Sequence, residues 1–435
     1  MHENLKKQQY QNCMAFIIIY TLTGIMVGLI YDILVTYLMA ISPAAAKGMA
    51  SYMGAAAFAA SALVALVPKL GYKKIMLSVP VITAASLLLI AYSGDTWIIT
   101  TAVFLLITGT TIFDVILAPF IAVYTTAAER TSFFTKTSYA NVAGIILGTL
   151  TGGPMIVWIF SKQIGIGYNA AKLLTSSIES LSLAQFSSYI ASYRSVLLGF
   201  AAVSALMLIP MIGIKESPED YKLEPAVKNN RNSGFAPLMN KYVLLFLAYT
   251  ILGGFAASLF VPNVSIYLTD IGINRAAVSM LGMLQYLAIL IFMPFSTWIT
   301  GKIGKVNTVA LICFVSVPFM LILANGYKYG NNVELIVGAA LFFRAGLANA
   351  SVPVVNSLTM ELVSKEHRAL YASLVFVMRG LAQIAAGFFT KYYLFNTAHG
   401  YAGAYYYAAT LYIAAHVMLL AVFSKKYNRV QDLQC

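Results

Sequence analysis

The sequence predicts an all-α membrane protein of twelve transmembrane helices arranged as two six-helix pseudo-repeats. Three observations carry that expectation. The 435-residue chain is 60% hydrophobic and only 10% charged, against roughly 45–50% apolar and about 25% charged residues in soluble domains. Its apolar residues fall into runs long enough to cross a bilayer core of about 30 Å, which takes roughly 20 helical residues. The runs also group six and six around one long polar stretch. So few charges cannot cover the aqueous faces of a soluble enzyme, a nucleic-acid module or a disordered scaffold.

Taken in order, the first six spans fall near 14–40, 46–67, 74–94, 97–126, 138–161 and 195–214, and the second six near 242–268, 277–300, 306–325, 333–360, 370–394 and 402–424. The first is a span that stays, because a secretion signal carries an apolar region of about 7–15 residues, while this run continues to Ile41. The segment 162–193 is weakly amphipathic (Ile178, Leu181, Phe186, Ile190) and reads as an outer-surface stretch without chemistry. The polar stretch contains Pro218, Pro225 and the run Lys228-Asn229-Asn230-Arg231-Asn232, the composition of a flexible linker. The expected domains are therefore a bundle over 1–214, a cytoplasmic linker over 215–241 and a second bundle over 242–435.

The net charge of +13 is a topology signal, because Lys and Arg accumulate in cytoplasmic loops. With both termini inside, nineteen Lys and Arg fall in cytoplasmic segments and seven outside, Arg275 among the seven. This places a multi-pass protein in the plasma membrane with both ends cytoplasmic. Cys13, Cys313 and Cys435 are widely separated and read as free thiols, with neither a disulfide framework nor a metal site.

The halves share short loop signatures. Lys69-Leu70-Gly71 corresponds to Lys302-Ile303-Gly304, and Pro119 to Pro353, at offsets of 233 and 234 residues. Glu129-Arg130 and Glu366-His367-Arg368 follow them. Two six-helix halves joined by a polar loop, with related loops, resemble the major facilitator superfamily, and the resemblance spans essentially the whole chain. It implies alternating access, the halves rocking about a central site near the bilayer midplane. The loop from Val64 to Lys73 (V-A-L-V-P-K-L-G-Y-K) keeps basic residues and one Gly of that family's G-x-x-x-D-R-x-G-R-K pattern but lacks its Asp and first Gly.

Four charges fall inside the predicted spans: Asp32, Asp114, Arg344 and Arg379. A charge near the bilayer centre costs at least about 2.5–3.5 kcal/mol and defaults to a functional role; structural ion pairing is the alternative. Tyr31-Asp32-Ile33-Leu34-Val35 and Asp114-Val115-Ile116-Leu117-Ala118-Pro119-Phe120, with Pro68-Lys69-Leu70-Gly71-Tyr72-Lys73, are similar to segments of fucose-permease-type sugar:proton symporters. That resemblance implies that Asp32 contacts the sugar and that Asp114 carries the proton, making Asp114 and Asp32 the candidates for cation coupling. The family has Glu where this chain has Asp114, and Asn where it has Tyr31.

Hydroxylated solutes need several amide or carboxylate partners and an aromatic wall. The candidate substrate-binding set is Tyr31, Asp32, Asn141, Asn263, Gln285, Arg344, Asn349, Asn356, Arg379 and Gln383. For any single amide, hydrogen bonding between helices is the competing role. His416 reads as a packing histidine, with proton relay as its alternative. Gly144, Gly148 and Gly152 recur every fourth residue and predict a smooth face for close helix packing.

The expected function is secondary active transport, specifically proton-coupled symport of a small polar solute: a sugar or derivative, with the arginines leaving room for an anionic one. The alternative is proton-driven export of drugs or other amphipathic compounds, toward which Gly152-Gly153-Pro154 points. No H-E-x-x-H, G-x-S-x-G or G-x-x-x-x-G-K-[ST] pattern marks an enzyme or an ATP-driven pump. The expected partners are a small-molecule substrate and the lipid bilayer, with no nucleic acid and a monomeric carrier. No cofactor is expected; the coupling ion is H⁺, with Na⁺ as an alternative.

Overall fold

The computed structural model describes residues 2–221, 240–363 and 368–428. All regular elements among the described residues are helical. Twelve are long and apolar enough to span a membrane: α1 (Gln8–Ile41), α2 (Met49–Leu70), α3 (Tyr72–Tyr92), α4 (Thr96–Ile121), α5 (Phe133–Gln163), α6 (Leu183–Gly213), α7 (Lys241–Asp270), α8 (Arg275–Ile303), α9 (Lys305–Ala324), α10 (Gly330–Thr359), α11 (Ser373–Asn396) and α12 (Gly400–Tyr427). The expected linker lies mostly outside the described residues, as do Cys435, Glu366 and His367. Large apolar side chains stand bare on the outer faces, with Trp97 82%, Leu335 76% and Ile209 68% exposed. That pattern suits lipid as the solvent, since a monomer in water rarely exposes apolar area on this scale.

The chain forms two compact units. One comprises residues 1–46, 55–226 and 272–283; the other comprises 47–54, 227–271 and 284–435. The first unit thus holds most of the six N-terminal helices together with the opening turns of α8.

Within the first unit, α1 and α5 approach closely because their facing residues have no side chain. A Cβ at Gly24 would strike the Asn141 carbonyl, and one at Gly144 the Thr21 carbonyl. Gly148 meets the Ile25 backbone and Gly152 the Ile33 side chain. The four-residue glycine spacing in α5 is therefore the packing face its sequence implied. Phe16 of α1 stacks on Phe120 of α4 at 4.6 Å, and Thr83 of α3 pairs its hydroxyl with that of Ser204 in α6. Asp95 caps α4, accepting the Trp97 N–H at 2.7 Å.

The sixth span begins at Leu183, twelve residues before its expected start. Ser182 and Gln185 close a capping box there, the Ser182 hydroxyl accepting the Gln185 N–H and the Gln185 side chain the Ser182 N–H. Gln185, Ser187, Ser188, Tyr189, Ser192, Tyr193 and Arg194 dilute the hydropathy of this first half. Its polar side chains nevertheless turn inward: Tyr189 and Tyr193 are each 1% exposed and share a 3.1 Å hydroxyl contact. Only 164–182 remains a connection, and it holds a short helix over Tyr168–Leu174.

Within the second unit, α7 packs on α12 through Phe246 and Phe423, ring centroids 5.7 Å apart. Tyr249 meets His416 Nε2 at 3.1 Å, while His416 Nδ1 lies 2.7 Å from the Tyr412 carbonyl. His416 is thus a bonded packing residue between helices. Gly346 of α10 admits the Phe292 ring of α8. Helix α7 breaks after Ser258, continues through a 3-10 turn at Val261–Asn263 and resumes at Val264. Pro262 explains the interruption, having no N–H to donate.

The two Lys-x-Gly loops adopt matching geometry. Gly71 and Gly304 have φ of +84° and +83°, where a Cβ is disfavoured, and each precedes the next helix. Each loop is tied down by a residue that follows the last helix of its half. Glu216 accepts the N–H groups of Tyr72 at 2.6 Å and Lys73 at 3.1 Å. Asn428 accepts the Asn307 N–H at 3.1 Å and donates to the Ile303 carbonyl at 3.0 Å.

Candidate functional site

The two membrane acids of the first unit sit in opposite environments. Asp32 lies in a π-turn, Ile30–Leu34, that interrupts α1; such turns widen a helix and are frequent at functional sites. The carboxylate is 1% exposed. Arg275 Nη2, on a residue also 1% exposed, stands 2.9 Å from its Oδ1. The Ser279 hydroxyl donates to Oδ2 and accepts the Gly153 N–H at 3.0 Å. The Arg275 backbone N–H donates to Thr175 Oγ1 at 3.1 Å. Asp32, α5 and the start of α8 thereby form one buried polar network.

The sequence places Arg275 among the outer loop charges; the structure instead buries it against Asp32. It follows Gly272-Ile273-Asn274 at a helix start, and no local pattern in the sequence points to a partner 243 positions away in α1. Nor does any local pattern mark Ser279, whose partner Asp32 is 247 positions away.

Asp114 stands open. Its side chain is exposed although it lies deep within α4. The Tyr20 hydroxyl donates to Oδ1 at 2.6 Å, and no Lys or Arg pairs with it among the described residues. Tyr31, three helical turns along α1, is within electrostatic reach. Asn141 spends its amide on structure, Nδ2 donating to the Tyr20 carbonyl at 2.9 Å. It therefore fixes the turn that carries Asp114's hydrogen-bond donor.

In the second unit, Arg344 lies midway along α10 and is 5% exposed. Its guanidinium sits 4.3 Å over the Phe260 ring, and its Nε has no hydrogen-bond partner. Tyr405 stacks on the same Phe260 at 4.8 Å. Arg379 is exposed and shares Tyr412 with Arg344 as an electrostatic neighbour. Asn263, 1% exposed, lies in the break of α7 with both side-chain polar atoms unpartnered. Asn349 turns back on its own helix, Nδ2 donating to the Ala345 carbonyl at 2.9 Å. Gln285 and Gln383 are half-buried and Asn356 is exposed.

Comparison with known proteins places this arrangement in a class. Residues 245–432 match the family described as the Major Facilitator Superfamily. The solved structure of the nucleoside transporter NupG superimposes with a TM-score of 0.68 at 15% identity, covering 97% of this chain and 99% of its own. The peptide transporter POT, solved with sulfate, gives 0.69 at 13% identity, covering 97% and 96%. A variant of the E. coli fucose:proton symporter FucP gives 0.59 at 15% identity, covering 95% and 98%. No curated protein matches the sequence significantly. The second half thus matches the model of that family, and the whole chain shares the fold of these solved transporters.

Proposed function

We propose that this chain is a proton-coupled symporter of a small hydroxylated solute, with Asp114 as the proton carrier. The observation that carries the reading is the contrast between the two acids. Asp32 is neutralised by Arg275 and buried, whereas Asp114 is accessible, has no basic partner among the described residues and holds one phenolic donor. A carboxyl that no cation neutralises can load and release a proton when its surroundings alternate between wetter and drier states, because burial penalises only the charged form. Tyr20 supports both states: its hydroxyl donates to the carboxylate and can accept from the protonated acid.

The charge bias of the loops supports a plasma-membrane protein with cytoplasmic termini, and the short loops a monomeric carrier. Solute symport is supported by the segments around Asp32 and Asp114, which resemble segments of sugar:proton symporters, and by the fold shared with nucleoside, peptide and fucose transporters. Electrogenic uptake into proteoliposomes, with a panel of sugars run with and without a pH gradient, tests the reading. A proton-linked current that disappears in Asp114→Asn while exchange persists supports it. Full gradient-driven accumulation by that variant refutes it.

A further inference from the structure

The second unit contains a buried cation that no carboxylate neutralises among the described residues. Arg344 makes no ion pair and no hydrogen bond to the described residues, and its Nε is sealed from solvent. Its guanidinium rests on the face of Phe260, with Cys313, Tyr405 and Tyr412 as electrostatic neighbours. An isolated buried guanidinium is strongly disfavoured, because desolvation is not repaid by a counter-charge, and a cation–π contact returns only part of that loss. Folds keep such a group when its partner arrives from outside.

The surroundings specify what arrives. Tyr405 is fully buried with its hydroxyl unpartnered, and it stacks on the Phe260 ring that carries Arg344. Tyr405 and Tyr412 both lie within electrostatic reach of Arg344. Arg379, the second guanidinium near Tyr412, also lacks a carboxylate among the described residues. The Phe260–Asn263 turn, closed by a 2.9 Å bond from the Asn263 N–H to the Phe260 carbonyl, brings an amide with both polar atoms free. The neighbourhood offers donors, positive charge and aromatic faces, and among the described residues no carboxylate pairs with either guanidinium. Donors left over in this way match the oxygens of an anionic group, and the Arg fork is the side chain best shaped to take two of them. The aromatic faces suit the apolar side of a ring.

We propose that Arg344, with Tyr405 and Asn263, binds the anionic group of the solute, so that the substrate is a hydroxylated ring bearing a carboxylate or phosphate rather than a neutral sugar. This deepens the symport reading and rests on it for the word substrate; the anion site itself does not depend on proton coupling.

Binding is read as thermal stabilisation of the purified full chain in detergent. The probes are D-glucuronate, D-galacturonate and D-glucose 6-phosphate, each beside D-glucose or D-galactose. At least one anion is expected to raise Tm where its neutral partner does not, and the responding arm separates carboxylate from phosphate. Arg344→Gln is expected to weaken that anion roughly tenfold or more, as loss of a charged hydrogen bond does, with Arg344→Lys intermediate. In the absence of probe, Arg344→Met is expected to match or exceed the wild-type Tm, because the uncompensated charge is gone. The proposal is overturned if no anion stabilises beyond its neutral partner, if Arg344→Gln keeps the anion response, or if Arg344→Met lowers the probe-free Tm, the mark of a structural ion. Retained accumulation by Asp114→Asn would sink proton coupling alone and leave these outcomes standing.

Discussion

Tyr20 donates a hydrogen bond to the open acid of α4, Asp114, at 2.6 Å, and Asn141 holds the same tyrosine by its carbonyl at 2.9 Å. A hydrogen bond to a charged group is worth about 1.5–3 kcal/mol. Tyr20→Phe is therefore expected to slow proton-driven uptake about tenfold or more, since 1.4 kcal/mol is a factor of ten, while solute exchange without a gradient stays near wild type. Initial rates of uptake and counterflow in proteoliposomes separate the two. Equal losses in both assays would assign Tyr20 to packing or to the solute.

The α1–α5 contact gives a sharper structural expectation. A Cβ at Gly144 would strike the Thr21 carbonyl, and it lies three residues from the Asn141 amide bonded to Tyr20. Gly144→Ala is expected to cost about 1–3 kcal/mol by overpacking and to lower coupled uptake by tilting Tyr20 away. Gly199 in α6 has nothing within 4 Å of a Cβ, so Gly199→Ala should be neutral or stabilising by about 0.5–1 kcal/mol. Thermal unfolding of the two variants checks the pair, and similar losses in both would contradict the close approach.

The buried Asp32–Arg275 pair calls for a double-mutant cycle. Breaking one side of a buried pair typically costs about 3–5 kcal/mol, because it strands the other charge, whereas removing both is often neutral. Asp32→Asn and Arg275→Met should each lower Tm, and the double variant should recover most of the loss. The transport assay then decides the role of Asp32. A stable double variant that no longer takes up solute makes Asp32 a substrate ligand; one that still transports makes the pair structural.

The fold was legible because hydropathy is a long-range average: twelve apolar runs and two Lys-x-Gly loops survive local noise. The same averaging hid the start of α6, where Tyr189, Ser192 and Tyr193 lower the window although their side chains are buried. The acids were legible for an energetic reason, since charge inside a span is costly enough to require a purpose. What could not be read was pairing. Asp32 and Asp114 look alike in sequence, and only the fold brings Arg275 and Ser279 to one and Tyr20 to the other. Asn141 and His416 show the converse, candidate chemical groups that the fold commits to holding helices together.

Glu216 carries the last expectation, one of pH. Burial pushes its carboxyl above the ordinary carboxylate range, outweighing the pull of the Tyr72 and Lys73 N–H groups it accepts. A group whose pKa is raised on folding binds its proton more tightly in the native state. Its favourable contribution is therefore full below the unfolded value of about 4.5 and fades as pH rises through the folded value. Glu216→Gln keeps an oxygen to accept the Tyr72 N–H and removes the titration. Relative to that variant, the wild type should gain stability as pH falls from neutral toward 4.5, and the difference between their Tm values should level off beyond it. A difference that is flat across this range would mean that the carboxylate stays ionised at the Gly71 loop. Its two backbone hydrogen bonds, not its burial, would then govern the cap.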